Sequence, residues 1–136
     1  MASNMYSYIC ETPEVLTHII DNRKEITREF VEEFKDKDVE QIYVIGSGTS
    51  YHAGLSAKNY LEEVLNMKVF CMYPTQFHRS EKVFNKKTLV IGMSQGGQSL
   101  STVEGLDAAT AQGLYTAAVS ENPTALVFDH AATKTR

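Results

Sequence analysis

Apolar residues recur at helical spacing in the first third of the chain and in short β-branched runs in the rest. Leu16, Ile19, Ile20, Ile26, Phe30 and Phe34 fall three and four residues apart, or small multiples of these. That spacing predicts one helix of about twenty residues with a single buried stripe. Thr12-Pro13-Glu14 supplies its opening: a hydroxyl to cap free N–H groups, a proline suited to the first turn, and an acid at the positive end of the dipole. The helix is therefore placed at 12–35, ending in the polar turn Lys35-Asp36-Lys37-Asp38.

From there strands and helices alternate. Gln41-Ile42-Tyr43-Val44-Ile45 is a buried strand stopped by Gly46, and the helix after it offers Leu55, Tyr60, Leu61, Val64 and Leu65 as an inner face. Lys68 to Tyr73, ended by Pro74, and Thr88 to Met93 read as the second and third strands. A helix from about Ser99 to Ala111 carries Val103, Leu106 and Ala109 inward, and Gly113 breaks it before a fourth strand, Leu114 to Val119. A short helix near Thr124–Phe128 and a final extended piece near His130–Thr133 complete the pattern. Such alternation predicts an α/β fold, a parallel sheet covered by helices on both faces. Ligands of such sheets bind beyond the carboxyl ends of the strands, where the strand order reverses.

Composition narrows the classes. The chain has 136 residues, 43% hydrophobic and 22% charged, which suits one globular domain. Thirteen basic against 17 acidic side chains give a net charge of −4, with no Lys/Arg block to grip a nucleic-acid backbone or an anionic membrane. No apolar run approaches a transmembrane length, and MASNMYSYI lacks the layout of a secretory signal. A cytoplasmic protein is expected, with Cys10 and Cys71 as reduced, partly buried thiols.

The chemistry lies at two strand ends. Gly46-Ser47-Gly48-Thr49-Ser50-Tyr51 follows the first strand, and Ser94-Gln95-Gly96-Gly97-Gln98-Ser99 follows the third. Each offers small residues, hydroxyls and free N–H groups at a helix N-terminus, where the partial positive charge favours an anion. Two such turns on neighbouring strands can converge on one phosphate. A sharp Gly/Ser bend can also be only a bend. A nucleotide is disfavoured: Tyr51 stands where a dinucleotide fingerprint needs glycine, no ribose-binding acid ends the second strand, and no G-x-x-x-x-G-K-[ST] occurs. No cofactor is expected. His18 and His130 have no partners at metal-ligand spacing, so no metal site is expected either.

Gly46 to Gly54 (GSGTSYHAG), followed about forty residues on by Ser94 to Ser99 (SQGGQS), resembles the sugar isomerase (SIS) domain. Within that family it is most similar to the isomerase half of glucosamine-6-phosphate synthase and to the fructosamine 6-phosphate deglycases. Ile9 to Pro13, Pro74 to His78 and Ser120 to Thr124 resemble its lead-in and its other turns. The resemblance implies a three-layer, flavodoxin-like sandwich with a five-stranded parallel sheet. It implies a sugar phosphate as ligand, with phosphate contacts from Ser50, Ser94, Gln95 and Ser99, and with Ser47, Gly48, Thr49 and the N–H groups of Gly96 and Gly97 beside them. Ser99 stands where threonine is common, Gly96 where serine is frequent, and Gln98 and Gln76 where glutamate is frequent.

It further implies that residues 1–136 are one SIS domain, the N-terminal half of a longer double-SIS isomerase, deglycase or aminotransferase-type isomerase. The glutamate that moves the proton between C1 and C2 would come from the other half. Within this chain His52 and His78 are the candidate acid–base groups, with Glu11, Glu14 and Glu121 behind them. Two other functions stay open: a non-catalytic sugar-phosphate sensor and a stand-alone single-SIS isomerase. The first helix, with its long stripe, either covers the sheet or packs on another subunit; a homodimer or higher oligomer is expected.

Overall fold

The computed structural model describes residues 4–80 and 84–135. Five parallel strands, β1 (Gln41–Gly46), β2 (Lys68–Met72), β3 (Thr88–Met93), β4 (Tyr115–Val119) and the short β5 (Thr133–Thr135), form one sheet in the order β2-β1-β3-β4-β5. This is the expected flavodoxin-like order. β1 and β3 lie side by side while the chain winds outward from each in opposite directions, so the reversal point falls between their carboxyl ends.

Alternation along the strands sends side chains to two covered faces. Ile42 and Val44 face one layer with Val69, Leu89 and Ala117, against which Phe30, Phe34 and Leu61 pack. Tyr43, Ile45 and Val90 face the other with Phe77, Ala109 and Leu114. Each such fully buried Ile, Val or Leu stabilises the fold by about 1.5–3 kcal/mol. Helices α3 (Arg28–Phe34) and α4 (Thr49–Leu65) build the first layer. Helices α5 (Pro74–Ser80) and α6 (Leu100–Ala111) and a 3-10 turn at Leu126–His130 build the second. Missing Cβ atoms let the layers close: one at Gly54 would stand 2.9 Å from Val44 Cγ1, and one at Gly92 would stand 2.9 Å from Leu106 Cδ1.

The N-terminal region departs from the expected single helix. Helix α1 spans Met5–Asp21, starting seven residues before Thr12. Asn4 and Ser7 form a reciprocal capping box: Ser7 N–H donates to Asn4 Oδ1 at 3.0 Å and Asn4 N–H donates to Ser7 Oγ at 3.2 Å. Thr12 is no cap; its hydroxyl donates back to Tyr8 O at 2.8 Å, and Pro13 lies inside an exposed helix where water can serve the carbonyl it leaves without a donor. The helix then breaks twice, around the short α2 (Arg23–Ile26). Asn22 Nδ2 donates to His18 O at 2.8 Å and Thr27 Oγ1 to Arg23 O at 2.7 Å, side chains competing for helix carbonyls.

The stripe divides with it. Phe30 and Phe34 pack on the sheet, whereas Leu16, Ile19 and Ile20 are 52%, 45% and 58% exposed. The inner face expected for the helix after β1 is also corrected: Gly54 and Leu61 turn inward, while Leu55, Tyr60, Val64 and Leu65 stay exposed. Pro74 to His78, expected as a turn, begins helix α5, whose Phe77 is 1% exposed. Proline suits its first turn, and Phe77 N–H closes the helix onto Tyr73 O at 3.0 Å. The short helix expected near Thr124–Phe128 is the tighter 3-10 turn, and the last strand begins at Thr133 rather than at His130. Both cysteines are free, but Cys10 is exposed rather than partly buried, and burial pushes the Cys71 thiol up from its ordinary range. No helix of the described residues is long and apolar enough to cross a membrane.

Candidate functional site

Three strand ends enclose one hollow. Thr49, Ser50 and Ala53 come from the turn after β1, Met93, Ser94 and Gln95 from β3, and Val119, Ser120 and Glu121 from β4; together they line about 260 Å³. Backbone geometry makes the turns possible. Ser50 sits over Gly46, where an added Cβ would come within 3.0 Å of Ser50 Cβ and 3.1 Å of Met93 O. Gly48 precedes α4 with φ +57°, which favours glycine, and lets Thr49 start the helix at the hollow. The N–H groups of that first turn have no helical acceptor and give the hollow its positive end.

The turn after β3 is stitched to the turn after β4. Ser94 N–H donates to Val119 O at 3.0 Å, and Glu121 N–H to Gln95 O at 3.3 Å. Ser120 Oγ donates to Gln95 O at 2.9 Å, Asn122 Nδ2 to Gly96 O at 3.1 Å, and Val127 N–H to Gly97 O at 3.1 Å. Gly97, at φ +74°, lies so close to this segment that a Cβ would stand 2.1 Å from Ala125 Cβ.

Among the described residues the hydroxyls of Thr49, Ser50 and Ser94 bond to no protein group, although Ser94 is only 8% exposed. No buried side-chain oxygen or nitrogen among the described residues lacks a partner, so the unbonded Ser94 oxygen is open to whatever fills the hollow. Among the described residues the wall carries no Lys, Arg or His, and Glu121 is its one acidic side chain. An anion here would be held by N–H groups and hydroxyls.

Of the residues expected at the site, Thr49, Ser50, Ser94 and Gln95 line the hollow; Ser47, Gly48, Gly96, Gly97 and Ser99 do not. Gly48, Gly96 and Gly97 shape the turns. Ser99 caps α6, its oxygen accepting from Thr102 N–H at 3.4 Å and Thr102 Oγ1 at 3.0 Å. His52 is exposed with its ring edge on Tyr51, and the His78 ring nitrogen lies 3.2 Å from Pro74 O; neither reaches the hollow. Val119, Ser120 and Glu121 complete the wall without having been singled out as ligand contacts; their signal was their place at the end of a third parallel strand. Among the described residues no three His, Cys, Asp or Glu cluster to hold a metal ion.

Comparison with known proteins bears on this geometry. The sequence profile described as the SIS domain matches residues 36–133, most of the chain and all three turns. The chain belongs to the SIS domain family. It is 30% identical over 121 residues to a glutamine–fructose-6-phosphate aminotransferase (isomerizing) of Fusobacterium nucleatum, covering 85% of this chain and 20% of that protein. It is 37% identical over 86 residues to the enzyme of the same name from Gloeobacter violaceus, covering 63% of this chain and 14% of that one. Thus it spans a fifth or less of these relatives. A crystal structure described as a candidate phosphosugar isomerase from Clostridium difficile superposes with TM-score 0.85 at 32% identity, over 97% of this chain and 37% of that one. The C-terminal domain of glucosamine-fructose-6-phosphate aminotransferase from Francisella tularensis, at 20% identity and TM-score 0.80, shares the fold over 99% of this chain and 39% of its own.

Proposed function

We propose that this SIS domain anchors the phosphate of a ketose or amino-sugar 6-phosphate as part of an aldose/ketose isomerase, deglycase or aminotransferase-type isomerase. The observation that carries the reading is the convergence of Ser94, largely buried but with its hydroxyl unbonded and accessible, with Thr49 and Ser50 at the α4 N-terminus on one hollow. Ser50, Ser94, Gln95 and Thr49 are the direct contacts in this reading, while Ser47, Gly48, Gly96, Gly97 and Ser99 hold the turns around the anion. Holding the phosphate fixes the carbon chain relative to a base and removes orientational freedom before the reaction.

The base itself is expected from a second SIS domain, because among the described residues Glu121 is the one carboxylate, and no imidazole stands beside it, in the wall of the hollow. The 1–136 unit is accordingly read as one half of a double-SIS arrangement. Assembly into a homodimer or higher oligomer is supported by the apolar face of α1, where Ile9, Leu16 and Ile20 remain more than half exposed. Free thiols fit a reducing cytoplasm.

Calorimetric titration tests the phosphate site. Fructose 6-phosphate is expected to bind and fructose not to bind at the same concentrations. Ser94→Ala and Ser50→Ala should each weaken the phosphorylated ligand by about 0.5–1.5 kcal/mol, or up to about tenfold. Equal affinity for the two sugars would discard the assignment.

A further inference from the structure

The Ser94–Gly97 turn commits its carbonyls and spares its amides. Gly97 N–H closes on Ser94 O at 3.1 Å. Ser120 Oγ and Glu121 N–H reach Gln95 O at 2.9 Å and 3.3 Å. Asn122 Nδ2 reaches Gly96 O, and Val127 N–H reaches Gly97 O, each at 3.1 Å. By contrast, among the described residues the N–H groups of Gln95 and Gly96 bond to no protein group.

A trans peptide group is planar, so a carbonyl and the N–H that follows it point in opposite directions. Drawing Gln95 O toward Ser120 and Glu121 therefore turns Gly96 N–H away from them. Glycine at 96 leaves both peptide planes beside it easy to rotate, and each needs an outside hold. Ser120 holds the plane before Gly96 and Asn122 the plane after it. A flipped plane would present a carbonyl oxygen where an anion needs a donor.

These two holds are side chains, so they depend on residue type. Ser120 is 4% exposed, and its oxygen also accepts from Asn122 N–H at 3.2 Å. Asn122 has both ends of its amide committed: Oδ1 accepts from Thr124 N–H and Thr124 Oγ1, each at 3.0 Å, which leaves Nδ2 aimed at Gly96 O. Asn122 itself does not line the hollow.

We infer that Asn122, together with Ser120, is a positioning residue for the anion site. By fixing the carbonyls of the 94–97 turn, the pair keeps the Gln95 and Gly96 N–H groups unbonded and turned toward a ligand. Asn122 acts through Gly96 and touches no ligand. This rests on the phosphate reading above and adds to it the side chains that set the direction of the backbone donors.

The experiment is titration of the whole isotope-labelled chain with inorganic phosphate, followed by amide NMR, with Tm measured alongside. In the wild type the Gln95 and Gly96 N–H protons are expected to move downfield as they become donors. Asn122→Ala and Ser120→Ala should each weaken phosphate about two- to tenfold, the scale of one lost hydrogen bond, and shrink that movement. Asn122→Asp keeps the acceptor for Thr124 and loses the donor to Gly96 O. In about 0.5 M sodium chloride, where its added charge is screened within about 4 Å, it should weaken phosphate as Asn122→Ala does. If Asn122 only shaped its own loop, Asp would replace it without loss, so wild-type affinity in Asn122→Asp overturns the inference. Phosphate binding that leaves the wild-type Gly96 N–H unmoved also overturns it, with the phosphate reading intact. A wild-type chain that binds no phosphate refutes that reading itself.

Discussion

Gly97→Ala isolates the contact that holds the site together. The new methyl would stand 2.1 Å from Ala125 Cβ, 2.8 Å from Ala125 Cα and 2.9 Å from Ser120 Oγ, at a residue whose φ is +74°. Forcing an L-side chain into the left-handed region costs roughly 1–2 kcal/mol. Moving the packed 120–127 segment aside adds about 1–3 kcal/mol, as overpacking does elsewhere. Displacing Ser120 also strains its 2.9 Å bond to Gln95 O, a loss of about 1 kcal/mol. The sum, about 3–6 kcal/mol, is a large share of the 5–15 kcal/mol typical of a domain. For a chain this long it should lower Tm by roughly 10–20 °C. Gly96→Ala is the internal control: nothing lies within 4 Å of its Cβ position and its φ is not positive, so it should change stability by about 0.5 kcal/mol or less. Thermal unfolding followed by circular dichroism reads both. A Gly97→Ala protein melting within about 2 °C of the wild type would refute the argument, because no compatible backbone would then be needed there.

Two further outcomes follow from surfaces away from the hollow. Lys87 Nζ lies 2.6 Å from Asp38 and 2.8 Å from Glu40; these contacts hold the lysine above its ordinary range, and Lys87, then Asn85, holds the Glu40 carboxyl below its own. The Glu40 contribution is therefore present above pH 4.5 and lost as pH falls through the lowered folded value; that of Lys87 is complete below pH 10.5 and lost as pH rises through the raised one. Lys87→Met should flatten the acid side of a Tm-against-pH curve between about pH 5 and 3, and identical acid slopes would refute the coupling. In solution, light scattering should give an oligomer that the paired change Leu16→Glu and Ile20→Glu dissociates, since both side chains are about half exposed on α1; a monomeric wild type would remove α1 as an assembly face.

Much of the fold was legible because β1, β3 and β4 are buried on both faces and so read as near-continuous apolar runs, as in Ile42 to Ile45 and Leu89 to Ile91. Helix faces were less legible because amphipathic spacing says which residues share a side, not what covers it. Leu16, Ile19 and Ile20 share the helical stripe with Phe30 and Phe34, yet the chain turns at Asn22 and Thr27 and leaves the first three uncovered. In α4 the inward side is marked by Gly54, because the helix approaches Val44 too closely for a side chain there, while the larger Tyr60 and Val64 point out. A capping box eight residues upstream of Thr12 outweighed a proline that resembled a helix start, because an exposed helix tolerates one unpaired carbonyl.

The site divides in the same way, and two serines show why. Ser94 and Ser120 both follow a parallel strand, and they are almost equally buried, at 8% and 4% exposure. Ser120 donates to Gln95 O and accepts from Asn122 N–H, so its hydroxyl is consumed in fixing the neighbouring turn. Ser94 makes its backbone bond to Val119 O and leaves its hydroxyl to the hollow. Residue type and strand-end position are identical; only the mutual stitching of the two loops separates a serine whose hydroxyl is bonded within the fold from one whose hydroxyl stays open to the hollow. That stitching in turn depends on the close approach at Gly97, whose lack of a side chain lets the turn after β4 reach the turn after β3. On the proposed reading, Gly97 therefore acts on the anion indirectly, by deciding which hydroxyls remain free in the hollow.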